Sequence, residues 1–263
     1  MGRGVYLKTG IVAHSCVPNA VWGISNSPDF NIIVKTSVPI KKGELITPTY
    51  SDLWNSLGTY HRLSAMFERS HFICKCQRCV DPTELGTFIS AIKCPKCCRG
   101  NILPSKPVDL SDRAVWRCDS CGAGDVQRAI ANLVDDIQYE INEKIEQVKD
   151  EEEGTRAVEE LEELFEKFCG TILHENHFGT RSIQKAIIEK MYPLLESCSF
   201  KELDTFIRHC ESLLRVTDIL TPGYTAHGGK RDGGRERKRI YFIIIHFDDS
   251  GEKIQSPHDH DHM

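Results

Sequence analysis

The residues best suited to chemistry in this chain are cysteines, and their spacing is that of metal ligands. Cys74-Lys75-Cys76-Gln77-Arg78-Cys79 crowds three thiols into six residues, and Cys94-Pro95-Lys96-Cys97 with Cys118-Asp119-Ser120-Cys121 makes two C-x2-C pairs. Structural zinc takes four such ligands in a tetrahedron. The second set is complete and has zinc-ribbon spacing, with Pro95 and Gly122 suited to the tight knuckles; loose core cysteines or a redox pair are its alternatives. The first set is one thiolate short. Cys16 lies in the compact stretch His14-Ser15-Cys16-Val17-Pro18-Asn19 and has no local partner, so it is the candidate for the missing ligand. Closing the loop from Cys16 to Cys74 costs about 3–4 kcal/mol plus a constant. Structural zinc supplies about 10–16 kcal/mol, so one metal can pin both ends of that loop. Two zinc sites are therefore expected, ligated by Cys16, Cys74, Cys76 and Cys79 and by Cys94, Cys97, Cys118 and Cys121. Cys98 is left as a bystander thiol.

Composition narrows the setting for that chemistry. The chain has 263 residues, 27% of them charged, with a formal net charge of −5, which gives no case for a bulk nucleic-acid binder and leaves room for a local basic patch. A nucleic-acid-binding ribbon would need a basic face that Lys93, Lys96, Arg99 and Lys106 supply only thinly. Of the 12 cysteines, eight fall into metal spacing, which argues for a reduced, intracellular protein. The opening Met1-Gly2-Arg3-Gly4 lacks the apolar core of a signal peptide, and the longest apolar run, Ile240 to Ile245, is too short to span a membrane. A monomer in the cytoplasm, the nucleus or both is expected, with a protein rather than a membrane or nucleic acid as partner.

The elements that must position these residues are short strands first and long helices later. Ala20 to Ile24 and Phe30 to Thr36 are predicted strands, separated by the turn-forming Ser25-Asn26-Ser27-Pro28-Asp29. Leu45-Ile46-Thr47 is predicted as a third strand ending near Tyr50, and Leu53 to Glu68 as short helical pieces interrupted at Gly58. Beyond Val126 the period becomes helical. One apolar stripe runs through Ile130, Leu133, Val134, Ile137, Ile141, Ile145 and Val148, and Gly154 breaks it. A second stripe runs from Val158 to Phe168. A third, from Ile183, is stopped or kinked by Pro193. Ser199 and Glu202 form a capping-box pattern ahead of a fourth stripe through Leu203, Phe206, Ile207, Cys210, Leu213 and Leu214. Together these predict an α+β chain ending in an α-helical array of degenerate-repeat type. The Asp150–Glu153 run is expected to be a solvated loop. His174 and His177 have metal-like spacing on a ligand-poor helix end and are not expected to form a site. The basic, glycine-rich stretch from Gly228 to Arg239 is expected to be a solvated tail, and the Ile240–Phe247 run an aggregation liability if left exposed. The spaced histidines His258, His260 and His262 are expected to be incidental.

Three motifs in order carry a family resemblance. His14-Ser15-Cys16-Val17-Pro18-Asn19 is similar to an N-H-S-C-x-P-N box, and Lys42-Gly43-Glu44-Leu45-Ile46-Thr47-Pro48-Thr49-Tyr50 to a G-E-E-L-x-x-x-Y segment. Phe72-Ile73-Cys74-Lys75-Cys76-Gln77-Arg78-Cys79 is similar to F-x-C-x-C-x-x-C. The set resembles the SET and post-SET regions of the SMYD (SET and MYND) protein methyltransferases, over about residues 1 to 125. Arg78 to Thr87 looks most like the family's arthropod branch. The resemblance implies a partial SET β-fold over 1–70 and a post-SET and second zinc module over 71–125. It further implies a helical domain over 126–225, leaving an irregular, read-through-like tail over 226–263. It implies S-adenosylmethionine-dependent protein-lysine methylation, with His14 and Asn19 on the cofactor side, Tyr50 at the active-site channel and the Cys16 set sharing one zinc. Two positions depart from the pattern: Ala13 replaces the box's leading asparagine, and Ser70 replaces an aromatic wall of the lysine channel. The family's glycine-rich cofactor segment and MYND module would lie ahead of Met1. The expectation is therefore an incomplete, inactive form of such an enzyme. The alternative is a non-catalytic, zinc-ordered interaction module whose helical domain holds a protein partner.

Overall fold

Apolar residues at helical spacing dominate the second half of the chain, and they build its larger core. A computed structural model describes residues 6–25, 30–51, 56–149, 151 and 154–223. The expectations placed on most of the Ser25–Asp29 turn, on Leu53, on most of the Asp150–Glu153 run and on the tail lie outside the described residues.

The first half opens with a hairpin, β1 (Ala20–Ile24) and β2 (Ile32–Thr36), paired antiparallel with Trp22 opposite Val34 and Ile24 opposite Ile32. The expected third strand at Leu45–Thr47 does not form. That stretch instead runs beside the start of β1 through one bridge between Ala20 and Pro48 and the Asn19 N–H bond to Thr47 O. Leu45 and Ile46 stay exposed, so β-propensity there has no apolar face to bury it.

Gly58 does not interrupt a helix but starts one. It is the N-cap of α1 (Thr59–Ser70), a single 12-residue helix closed by His71 in the left-handed region. The glycine is required by packing: a Cβ there would lie 2.7 Å from Ser90 Oγ and 3.1 Å from the Phe178 ring. A one-turn helix, α2 (Gln77–Val80), follows with Cys76 as its N-cap.

The second cysteine set lies on a four-stranded antiparallel sheet. Its strands β3 (Ile92–Lys93), β4 (Asn101–Pro104), β5 (Val115–Cys118) and β6 (Gly124–Val126) pair in chain order. Trp116 on β5 points into the core and donates its indole N–H to Gln127 Oε1 at 2.7 Å, which ties the sheet to the first long helix.

Four helices complete the array: α3 (Gln127–Lys149), α4 (Gly154–Phe168), α5 (Phe178–Met191) and α6 (Phe200–Leu220). Cross-helix ion pairs fix α3 and α4 as antiparallel, because Glu140 meets Lys167 while Lys144 meets Glu160. The expected stripes are buried at Ile130, Val134, Ile137 and Ile141, at Leu161, Leu164 and Phe168, and at Ile183 and Ile187. Leu133 and Ile207 are exceptions and face solvent. Pro193 falls in a 3-10 turn, Tyr192–Leu194, that terminates α5 as its missing N–H requires. Ser199 and Glu202 form the expected reciprocal capping box on α6.

His174 and His177 are structural. His174 stacks on Phe88, and His177 caps α5 by accepting the Gly179 N–H at 3.1 Å through Nδ1. Burial, aided by nearby His61, pushes His177 down to about 3 from an ordinary 6.5, so the ring stays neutral in the folded chain. The folded state thus binds fewer protons than the unfolded state. The stabilisation is full above about pH 6.5 and drains away as pH falls toward 3. His177→Asn keeps a capping acceptor and removes the titration. Denaturant melts should show the parent losing on the order of 3 kcal/mol more than the variant between neutral pH and about pH 4; parallel pH profiles would contradict this.

Candidate metal centres and their neighbours

Cys16 is the one sulfur of the first candidate centre that does not come from the short segment 74–79. The turn at residues 16–19 and the one-turn helix α2 bring the two together across 63 positions of sequence, with Cys16 and Cys79 sulfurs 3.4 Å apart. The sulfurs of Cys16, Cys74, Cys76 and Cys79 all lie within 4.8 Å of one another. A tetrahedron of thiolates at the usual zinc–sulfur distance has edges of about 3.8 Å, whereas a disulfide would need about 2.05 Å. Four sulfurs so crowded cannot all ionise unaided. The thiol of Cys16 is pushed far up and that of Cys74 far down, chiefly because Cys16 shares its hydrogen with Cys74. Cys16 pulls the Cys79 thiol down, but Cys74 and Cys76 push it up and prevail. A divalent cation removes that conflict by letting all four ionise. The donor set fits zinc.

The second centre gathers Cys94, Cys97, Cys118 and Cys121, with sulfur separations of 3.7 Å for Cys94–Cys121 and for Cys97–Cys118. Its thiolates are served by backbone N–H groups. Gly100 donates to Cys97 Sγ at 3.4 Å, and Ser120 and Cys121 donate to Cys118 Sγ at 3.4 and 3.5 Å. The Gly100 and Arg99 amides pull the Cys97 thiol down to about 6. Cys98 is exposed and stands outside the cluster.

Around the first centre the structure assembles the remaining motif residues. His14 sits between the metal ligands and Tyr50. Its Nδ1 accepts the Tyr50 backbone N–H at 3.1 Å, so its proton rides on Nε2, which faces Cys16 Sγ at 3.2 Å. That is an outer-shell contact of the kind that orients a metal ligand. The rings of His14, Tyr50 and Phe72 form a triangle with centroids 5.1, 5.9 and 6.0 Å apart. Tyr50 donates its hydroxyl proton to Val12 O at 2.6 Å. Asn19 acts as a clamp: its side chain donates to Leu45 O at 2.8 Å and accepts from Thr47 N–H at 2.7 Å. The two departures from the family pattern, Ala13 and Ser70, are both exposed.

Three further residues were not singled out by sequence reasoning. Arg62 and Arg78 are completely buried, and the Glu84 carboxylate is buried between them. Glu84 Oε2 accepts from Arg62 Nη1 and Arg78 Nε, each at 2.9 Å, and Oε1 accepts from Thr59 N–H and the Ser90 hydroxyl. Burial alone would raise the Glu84 carboxyl, but the two guanidiniums hold it down at about 2. Asp81 folds the intervening loop by accepting from the Thr83 and Leu85 N–H groups, and Glu84, Leu85 and Gly86 turn through the left-handed region. The available signal was slight: an arginine inside the C-x2-C pair, and an Asp-Pro-Thr-Glu turn just after it.

No family model matches the chain. Curated proteins do resemble it. The SET domain-containing protein SmydA-8 of Drosophila melanogaster is 32% identical over 169 residues in isoform B, covering 64% of this chain and 35% of the relative. Isoform A gives the same identity over 34% of its length. A SET and MYND domain-containing protein of Dictyostelium discoideum is 35% identical over 80 residues, 30% of this chain and 22% of that protein. The chain spans about a third of the length of the SmydA-8 proteins it matches. Over the stretches matched, the chain is thus similar to part of SET domain-containing and SET and MYND domain-containing proteins. The α+β class is as expected, with two cysteine centres and helices at the C-terminal end, and among the described residues no helix is long and apolar enough to cross a membrane.

Metal analysis of the purified chain should return two zinc ions. Cys16→Ser should lose one and keep the ribbon's ion, whereas Cys121→Ser should do the reverse. A Cys16→Ser protein that retains both would remove Cys16 from the ligand set.

Proposed function

We propose that this chain carries the zinc-clasped, tyrosine-bearing part of an S-adenosylmethionine-dependent protein-lysine methyltransferase of the SET type. The observation that supports it most is convergence: three motifs far apart in sequence meet where the rings of His14, Tyr50 and Phe72 pack against one another, with His14 also facing the first cysteine cluster. The cofactor, when bound, supplies an electrophilic methyl on a sulfonium. Transfer is an in-line displacement in which the lysine amine forms the new C–N bond, the C–S bond breaks and the thioether leaves. The amine must attack in its neutral form, and its extra proton then passes to solvent. The residues' task is alignment and desolvation rather than proton abstraction. Tyr50 suits that task, because its proton is committed to Val12 O and its oxygen lone pairs remain free to accept. On this reading His14 holds the Tyr50 backbone while facing the metal ligands, and the ring of Phe72 packs against both.

The second reading, a non-catalytic zinc-ordered module that holds a protein partner against the helices α3 to α6, has its own support. Both nitrogens of His14 and both polar ends of Asn19 are already used within the chain. Either role suits a reducing cytoplasmic or nuclear compartment, in which free thiolates persist.

Isothermal titration with S-adenosylmethionine separates the two. This chain and a version extended upstream toward the span of its relatives are titrated side by side. Saturable binding by the extended protein, lost in Cys16→Ser, is the expected result; no heat from either protein would leave the interaction module as the function.

A further inference from the structure

The two metal centres differ in what surrounds their sulfurs. The ribbon's thiolates are exposed or half-buried at Cys121 and Cys97 and accept from backbone amides. The first centre is deeper, and a zinc ion with four thiolates there leaves two net negative charges in a place water reaches poorly. Such a charge is costly unless something nearby compensates it. Arg62 donates from Nη2 to Cys79 Sγ at 3.5 Å, and Arg78 donates from Nη1 to the carbonyl of Cys16 at 3.5 Å. Both guanidiniums are fully buried, so their attraction to the sulfurs is weakly screened. Among the described residues, Glu84 is the carboxylate that both cations share, and Arg62 also turns Nη2 to the sulfur of Cys79.

We propose that Arg62 and Arg78 are the charge-compensating outer shell of the first centre and that Glu84 fixes where those charges stand. Arg62 is the positioning residue that sets how tightly the Cys16 centre keeps its metal. Its anchors are its own helix and the loop before it: Nη1 also donates to Leu57 O at 2.7 Å and Nη2 to Thr59 Oγ1 at 3.1 Å. The ribbon, served by backbone amides, does not share this dependence. The proposal requires only the cysteine centres and holds whether or not the chain binds S-adenosylmethionine.

The sign of the charge gives the test. Zinc release into a chromogenic chelator is followed for the parent, Arg62→Met, Arg62→Lys and Glu84→Gln, with far-ultraviolet circular dichroism recorded alongside. Arg62→Met should release the first ion about 10–100-fold faster while the ribbon ion leaves at the parental rate. Arg62→Lys keeps the charge and should fall between the two. Glu84→Gln removes a negative charge, so its first ion should leave no faster than the parent's even though the fold melts at a lower temperature. Faster release in Glu84→Gln equal to that in Arg62→Met would reduce the network to packing and overturn the proposal. So would unchanged release from a folded Arg62→Met. If Arg62→Met does not fold, a parental rate in Arg62→Lys together with accelerated release in Glu84→Gln would overturn it equally.

Discussion

Four sulfurs held at one point are what the first half of this molecule depends on. Among the described residues, the smaller core has two fully buried apolar side chains besides its cysteines, Leu63 and Met66, with Phe72, Ile73, Val108 and Leu110 partly buried against it. Burying two such side chains contributes about 3–6 kcal/mol, against about 10–16 kcal/mol for a structural zinc. A zinc ion held there would outweigh those two side chains in tying Cys16 to the segment 74–79. The hairpin β1–β2 underlines the point. It exposes Trp22, Ile24 and Ile33, and a two-stranded hairpin is marginal alone. The larger core is the opposite case, with Leu161, Ile183 and Ile187 among many apolar side chains fully buried across the ribbon and helices.

The sulfur cluster also organises its polar neighbours. His14 faces Cys16 with one nitrogen and holds the Tyr50 backbone with the other, so the ring that orients a metal ligand also sets the position of the candidate channel tyrosine. On the opposite side, Arg62 reaches Cys79 while anchoring α1, and Arg78 reaches back to the backbone of Cys16. Metal, tyrosine and the first helix are thus linked through single side chains.

What the sequence made legible follows from how tightly each kind of interaction fixes spacing. Metal ligands must meet at one point with fixed geometry, so both cysteine sets could be read, including the distant Cys16. Helix period and caps are local, so the stripes from Ile130 onward and the Ser199–Glu202 box could be read as well. Arg62 and Glu84 could not, because a charged residue on a helix or in a turn is ordinarily solvated, and only the fold shows that these two are buried together. Gly58 was misread because a helix start and a helix interruption look alike without knowing that Ser90 and Phe178 crowd it. Leu45–Thr47 has strand-like composition, but Asn19 ties it down through side-chain bonds that no periodicity reveals.

The claim that the Cys16 centre docks the first 50 residues onto the rest is tested most directly by amide hydrogen exchange on a Cys79→Ser variant that keeps the ribbon's metal. Protection at Ser15, Asn19 and Ser37, whose N–H groups bond to Pro48, Thr47 and Asn19, should collapse, while Ile183 to Ile188 in α5 exchange as slowly as in the parent. Undiminished protection at Ser15 and Asn19 in the variant would show that hydrocarbon contacts alone hold this half in place, and would contradict the account.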